Sequence, residues 1–369
     1  MENTVTIHVS DLREQEIRHL PQGGSVKKWS ISDAVHAELP VIQIHNGYLA
    51  FTVLPARGME IGEIRNEEEL MSWERSSTFL QHPEHVSLQE RQGTGWLNGF
   101  YSAVATIGPE LFGTPGEGLT LHGTSSYSPA RSDTIRITYG TEGIWIEGEV
   151  VCAGYGDKPL FVKQIRIFTA WHTSLLLREE FTENISSEVQ TLDDGYHIQL
   201  SGSYLYGGGR YVLPAKRESL LIRDGAPRED DPLRIPSRDE GPQPIRCYQY
   251  VPEPVCGLVH IDELGAYIGK LQSRELTAEM MVDHGNHAAG FIIRPLSSYP
   301  RSLIAKEIGE SFMFSFEPCR TRPNRMSQKH IDGEAFILLP GAGAFTQCII
   351  GVTKKVSTIE ALEKCIVQR

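Results

Sequence analysis

Four places in the chain set an ionisable side chain beside glycine or proline at what the pattern makes a strand end, where binding and catalytic groups are commonly carried. They are Arg57 in LPARGMEIGEI (54–64), His122 in GLTLHG (118–123), His197 in DDGYHIQL (193–200) and Glu317 in SFMFSFEPCRTRP (311–323). Imidazole and carboxylate side chains are the usual carriers of general acid and base roles near neutral pH. Each place also has a plain structural reading. Arg57 serves equally well as a surface ion-pair partner, and the two histidines as hydrogen-bonded core residues. Glu317 is harder to dismiss, because it ends the apolar run FMFSFEP; a carboxylate buried there needs a partner or a raised pKa.

Other candidates are weaker. Tyr206-Gly207-Gly208-Gly209-Arg210 lacks the GxxxxGK[ST] pattern of a phosphate cradle and reads as a turn. Asp283-His284-Gly285-Asn286-His287 spaces two histidines as a metal pair might be spaced. A glycine interrupts it, however, and no HExxH string or third ligand supports a metal, so none is assigned. GVTKK near the end of the chain is solvated charge. No GxSxG elbow is present, so a serine hydrolase of the α/β type is unsupported.

The elements that must position these groups are mostly strands. Segments 41–55, 134–151 and 162–182 alternate with period two between Gly, Asn or Asp punctuation, the signature of half-buried antiparallel strands. His45-Asn46-Gly47 and Gly140-Thr141-Glu142-Gly143 read as hairpin turns. Helical signals are few: a capping box at Ser357-Thr358-Ile359-Glu360 followed by Leu362, Cys365 and Ile366, and a weaker candidate in EEELMSWERSS (67–77). No repeat of solenoid or propeller period is found. The polar, proline-rich stretch 223–244 reads as a long surface loop within one domain covering 1–369, in preference to a linker between two. The pattern predicts an all-β chain, a large sandwich or barrel and not a βαβ fold.

Composition narrows the partners. A formal charge of −12 and an isoelectric point near 5.6 argue against a nucleic-acid partner and favour a small substrate. The N-terminal MENTVTIHVSDLREQ lacks the basic-then-apolar pattern of a leader, and no apolar run approaches the roughly 18 residues that span a bilayer, which places the protein in the cytoplasm with no membrane partner. The six cysteines show no CxxC spacing and read as reduced thiols.

Taken in order, LPARGMEIGEI, TGWLNGFYSAVATIGPELFG running into LTLHG, LDDGYHIQL, AKEIGESFMFSFEPCRTRP and FILLPGAGAF resemble the aldose 1-epimerase (galactose mutarotase) superfamily, most closely its DUF4432 branch. The strings run from about residue 50 to 345, most of the chain. The resemblance implies a β-supersandwich of the galactose mutarotase type with few short helices. It implies a sugar held in an open groove, no cofactor, and a monomer or homodimer. It implies that Glu317 faces the anomeric hydroxyl as base and His197 the ring oxygen as acid. His122, Arg57 and Lys306 would contact the sugar, with Trp96 stacking on its apolar face or serving as core. Asp194 and Asp283 are the candidates for a sugar-binding aspartate. Ile198-Gln199-Leu200 follows the strand-end histidine where the family commonly has Asn-Phe-Gly.

The activity implied is interconversion of sugar anomers by acid/base opening and closure of the ring. A non-catalytic carbohydrate binder is the first rival. The second is an isomerase or lyase acting on a modified or acidic sugar, for which Arg57, Arg210, Arg294 and Lys306 are the available cations.

Overall fold

The computed structural model describes residues 4–33, 35–66, 69–153, 158–223, 230–309 and 311–367. Within them, two large antiparallel sheets of ten and twelve strands pack face to face, with a two-stranded ribbon (Gln190–Leu192 with Phe336–Leu338) at one side. This is the expected all-β sandwich of the mutarotase type.

Period-two patterning builds the layers. In Gly143–Ala153 the apolar residues Ile144, Ile146, Val150 and Cys152 are buried in the central core, while Trp145 on the opposite face stacks on Phe168. This strand pairs with Arg136–Tyr139 on one side and Pro159–Ala170 on the other, and Pro159–Ala170 pairs in turn with Leu175–Asn184. The central core joins such residues to Val26, Ile42, Ile44, Phe51, Val53 and Ile61 of the twelve-stranded sheet.

Both expected hairpins form. At the first, the buried Asn46 amide donates to Thr169 Oγ1 and to the carbonyls of Ala170 and Thr173 across the sandwich, and its oxygen accepts from the Tyr48 and Leu49 amides. Gly47 is required there: its φ is 91°, and a Cβ would lie 2.5 Å from the Gln22 carbonyl.

The outer faces of the two sheets differ. The C-terminal helix Val356–Val367 covers the ten-stranded sheet, burying Ile359, Leu362 and Ile366 against Met280, Phe291 and Ile349. It starts at Val356, one residue before the expected cap: the Thr358 and Ile359 amides donate to the Lys355 carbonyl. The outer face of the twelve-stranded sheet is covered by loops and carries a separate cluster of Trp73, Trp96, Phe100, Ala105, Tyr127, Ala305 and Met313.

Two expectations are corrected. Among the described residues of EEELMSWERSS no α-helix forms; residues 67–68 lie outside them, Glu69–Leu70 pairs with Glu60–Asn66, and Met71 and Trp73 are buried in irregular chain. Tertiary burial of Met71 and Trp73 overrides the local helical preference. The stretch 223–244 is only partly a surface loop. Residues 224–229 lie outside the described residues, but Arg234–Ile235 adds an edge strand to the ten-stranded sheet and buries Ile235. Asp230 forms ion pairs with Lys306 and Arg246. Among the described residues no helix is long and apolar enough to cross a membrane.

Candidate functional site

Three adjacent strands of the twelve-stranded sheet form the floor of a cavity of about 620 Å³. Arg301–Ile308 contributes Leu303, Ala305 and Glu307; Phe312–Cys319 contributes Met313 and Glu317; Gly195–Ile198 contributes His197. Alternate residues of the same strands, Ile304, Phe314, Phe316, Tyr196 and Ile198, point the other way into the central core. Strand register fixes the neighbours: Leu303 lies opposite Glu317, and His197 opposite Ala105.

His197 Nε2 and Glu317 Oε1 are 3.2 Å apart, and the Ser315 hydroxyl donates to the same carboxylate oxygen at 3.0 Å. Both side chains are largely buried. Phe100 sets its ring edgewise on His197 at 4.7 Å, so the pair lies in an apolar surround that strengthens its electrostatics. Burial pushes the His197 pKa down, and the Glu317 carboxylate and Gln199 side chain pull it back up.

His122 reaches the cavity from the loop that covers the sheet. It has a φ of 61° and is followed by Gly123 at 67°, a double left-handed turn that aims the imidazole inward. A non-glycine residue held there stores roughly 1–3 kcal/mol of strain. The Gly108 amide, donating to the His122 carbonyl at 2.9 Å, helps to hold it. Its ring packs edgewise on Trp96 at 4.8 Å and stands 6.3 Å from His197. Burial, reinforced by the charges of His197, Lys329 and Arg223, holds the His122 pKa well below the ordinary imidazole value. His122 is therefore neutral at physiological pH.

Trp96 lines the cavity from the 3₁₀ turn Gly95–Gly99 and is fully buried, packed on Phe100 and Tyr127 as well as His122. It is wall and core together. The structure thus brings His122, His197, Glu317 and Trp96 to one cavity.

Arg57 and Lys306 are not among the residues that line it. The Arg57 guanidinium donates to the carbonyls of Ser126, Gly99 and Gln81 and stacks on Tyr127, behind the wall that Trp96 forms. It is a buried residue behind the cavity wall, 3.8 Å from the Glu60 carboxylate, and not a surface ion-pair partner. Lys306 has the wrong parity. It shares a face with Ile304 and Ile308 and is bound by Asp230 and by the carbonyls of Asp231 and Arg234, whereas its neighbour Glu307 faces the cavity.

The two aspartate candidates are also occupied elsewhere. Asp194 pairs with Arg320 at 2.6 Å, and Asp283 caps a hairpin turn by accepting from the Gly285 and Asn286 amides. The latter bonds make 283–287 a turn and not a ligand set, and no cluster suited to a metal occurs among the described residues.

Sequence reasoning missed Arg75, Arg223, Glu307 and Ser311, all of which line the cavity. Glu307 was readable from period two in RSLIAKEI. The arginines sit in irregular chain: Arg75 stacks on Trp73 and Phe79, and Arg223 donates to Thr114 Oγ1 and the Pro323 carbonyl. No local pattern announces them.

A family described as a domain of unknown function, DUF4432, matches residues 37–349, most of the chain. The chain belongs to the DUF4432 family. Solved structures at low identity share its fold. A Klebsiella pneumoniae protein provisionally designated an aldose 1-epimerase superposes with a TM-score of 0.76 at 16% identity, covering 99% of this chain and 91% of that one. A galactose mutarotase-like protein of Clostridium acetobutylicum gives 0.57 at 13% identity, over 89% of this chain and 98% of that one. The Slr1438 protein of Synechocystis gives 0.53 at 10%, over 94% and 99%. No curated protein matches the chain in sequence.

Proposed function

We propose that this chain is an aldose 1-epimerase-like enzyme that interconverts the anomers of a free sugar. The observation that carries the reading is the contact between His197 Nε2 and Glu317 Oε1, on the floor of a cavity sized for a small molecule. Opening a hemiacetal removes a proton from the anomeric hydroxyl and delivers one to the ring oxygen. A pair that holds one proton between two groups does both at once: Glu317 takes the hydroxyl proton while His197 donates from Nε2. After rotation about C1–C2 the transfers reverse and the ring closes on its other face.

Each well-placed group contributes on the order of 10²- to 10⁴-fold. His122, kept neutral by burial, offers a hydrogen bond without competing for the proton, and Trp96 offers a face for the C–H side of the ring.

A second reading, an enzyme acting on an acidic sugar, is favoured by Arg75 and Arg223. These replace Arg57, Arg210, Arg294 and Lys306 as the cations at the cavity. Anomer exchange followed by saturation-transfer NMR across neutral and acidic aldoses tests both readings. Faster exchange than in buffer for a neutral aldose supports the first, and for uronic acids alone the second. Binding without accelerated exchange for any sugar contradicts the anomer-exchange reading and leaves a carbohydrate-binding protein or an enzyme of a different reaction.

A further inference from the structure

The cavity accounts for one nitrogen of His197 and leaves the other unexplained. Nδ1 points away from Glu317 into the protein, where it is buried with no hydrogen-bond partner among the described residues. The Gln199 amide oxygen and nitrogen are buried and unpartnered in the same way. Three orphaned polar atoms in one corner are unusual, because each buried donor or acceptor left unmade is destabilising by about 1–3 kcal/mol.

The corner is built. Gln199 lies two residues beyond His197. Its backbone is pinned from both sides, the amide donating to the Ala103 carbonyl and the carbonyl accepting from the Trp73 amide. Only the side-chain torsions remain to be set, and the terminal amide torsion is soft.

We infer that Gln199 is a positioning residue whose amide oxygen accepts Nδ1–H of His197, so that Nε2 alone exchanges protons with the ligand. This rests on the acid role proposed for His197. In the one-proton state of the pair, His197 is an imidazolium: Nε2–H faces Glu317 or the ring oxygen, and Nδ1–H faces Gln199. When Nε2–H passes to the ring oxygen and Glu317 gains the anomeric proton, the ring becomes neutral with its proton still on Nδ1. The Nε2 lone pair is then left where it can take the same proton back. No proton is lost from the site, and the imidazole need not turn over between steps.

The Gln199 side chain acts in the direction this requires, raising the proton affinity of His197 against the burial that lowers it. The other groups around the ring are Glu317 on its own strand, His122 in the covering loop with Arg223 and Lys329 beyond it, and Glu307 and Arg75 on the cavity lining. Two side chains raise its proton affinity: Glu317, on the neighbouring strand, and Gln199, two residues along from His197 itself.

The test is a ring-nitrogen NMR titration of the full chain labelled with ¹⁵N-histidine, with His197 assigned by the signal lost in His197→Asn. Wild type is compared with Gln199→Met, which keeps the volume and removes the oxygen, and with Gln199→Glu, which strengthens the acceptor. Loss of a hydrogen bond to a charged ring lowers the His197 midpoint by about one pH unit in Gln199→Met, and Gln199→Glu raises it by at least as much. In a Glu317→Gln background, which mimics the protonated carboxyl, the neutral ring carries its proton on Nδ1 and shifts it to Nε2 when Gln199→Met is added.

An unmoved midpoint in both Gln199 variants, or a neutral ring protonated on Nε2 in the Glu317→Gln protein, overturns the inference. Should Gln199→Met fail to fold, the Gln199→Glu shift decides alone. None of these readouts needs a sugar. A protein that shows the shifts yet accelerates no anomer exchange keeps the Gln199 assignment and loses the proposed function. Exchange with unmoved midpoints gives the converse.

Discussion

Two buried acid–base pairs in this molecule look alike by distance and differ in everything else. Arg294 and Glu279 meet at 2.8 Å between the sheets, fully buried. The guanidinium also donates to the carbonyls of Tyr299 and Arg301, and the second carboxylate oxygen accepts from Ser302. Every charge-bearing atom named there has a partner, as a purely structural pair requires. His197 and Glu317 meet at 3.2 Å on the outer face of the neighbouring sheet, with Nδ1 unpartnered and a cavity above them. Saturation marks the first pair as scaffold. The second lies open to the cavity on its Nε2 and carboxylate side, where a ligand can enter, as expected of groups that must change partners during a reaction.

The largest effect expected from breaking this contrast is on the interior side. Glu279→Ala strands a buried guanidinium and lowers stability by about 3–5 kcal/mol, measured as a shift in the urea midpoint at constant slope. Arg57→Ala follows, because three carbonyls lose their donor behind the Trp96 wall; we expect a loss of about 2–4 kcal/mol by the same measurement. Lys306→Met removes one partner of Asp230, which keeps Arg246 and Tyr248. The expected loss is about 1–2 kcal/mol, with sugar exchange changed less than about twofold. Glu317→Gln is smallest on this scale, within about 1 kcal/mol, because the amide oxygen still accepts from Ser315.

Acid separates the two regions again. Burial alone would raise the Glu180 pKa, but Lys163 and Arg178 outweigh it and hold the carboxyl at about 2. A carboxyl depressed in the folded state contributes stability above its unfolded value, about 4.3, and loses it as the pH falls toward 2. His122 has the opposite history. Its folded value lies below the unfolded one, so the unfolded chain takes up the extra proton and stability begins to fall as the pH drops below about 6.5. Unfolding midpoints from pH 8 down should therefore fall in two stages, and His122→Asn should diminish only the upper one, to which the buried His197 also contributes.

Much of this was legible in the chain because strands advertise themselves by period. The hairpins at Asn46 and Gly140 and the C-terminal helix stand where turn chemistry and apolar spacing put them. His197 and Glu317 were visible as ionisable residues in apolar strands, although the strand of Glu317 runs on through Pro318 to Cys319 and does not end there. The residues that the structure places away from the cavity, and those it adds, have physical reasons. Lys306 was assigned to the site by resemblance, against the parity that sends Glu307 to the cavity and Lys306 to the other face. Arg57 sits beside the right motif but spends its donors on backbone. Arg75 and Arg223 reach the cavity from irregular segments whose path depends on tertiary packing that no local pattern encodes.

In the proposed reaction His197 and Glu317 move protons and do not merely stabilise the fold. The direct measurement is the anomer exchange rate, by saturation transfer, for the aldose that wild type turns over fastest, with Glu317→Gln and His197→Asn beside it and their unfolding midpoints recorded. A loss of at least about 10²-fold is expected in each variant, with little change in midpoint. Exchange that persists in either variant within about threefold of wild type would contradict it.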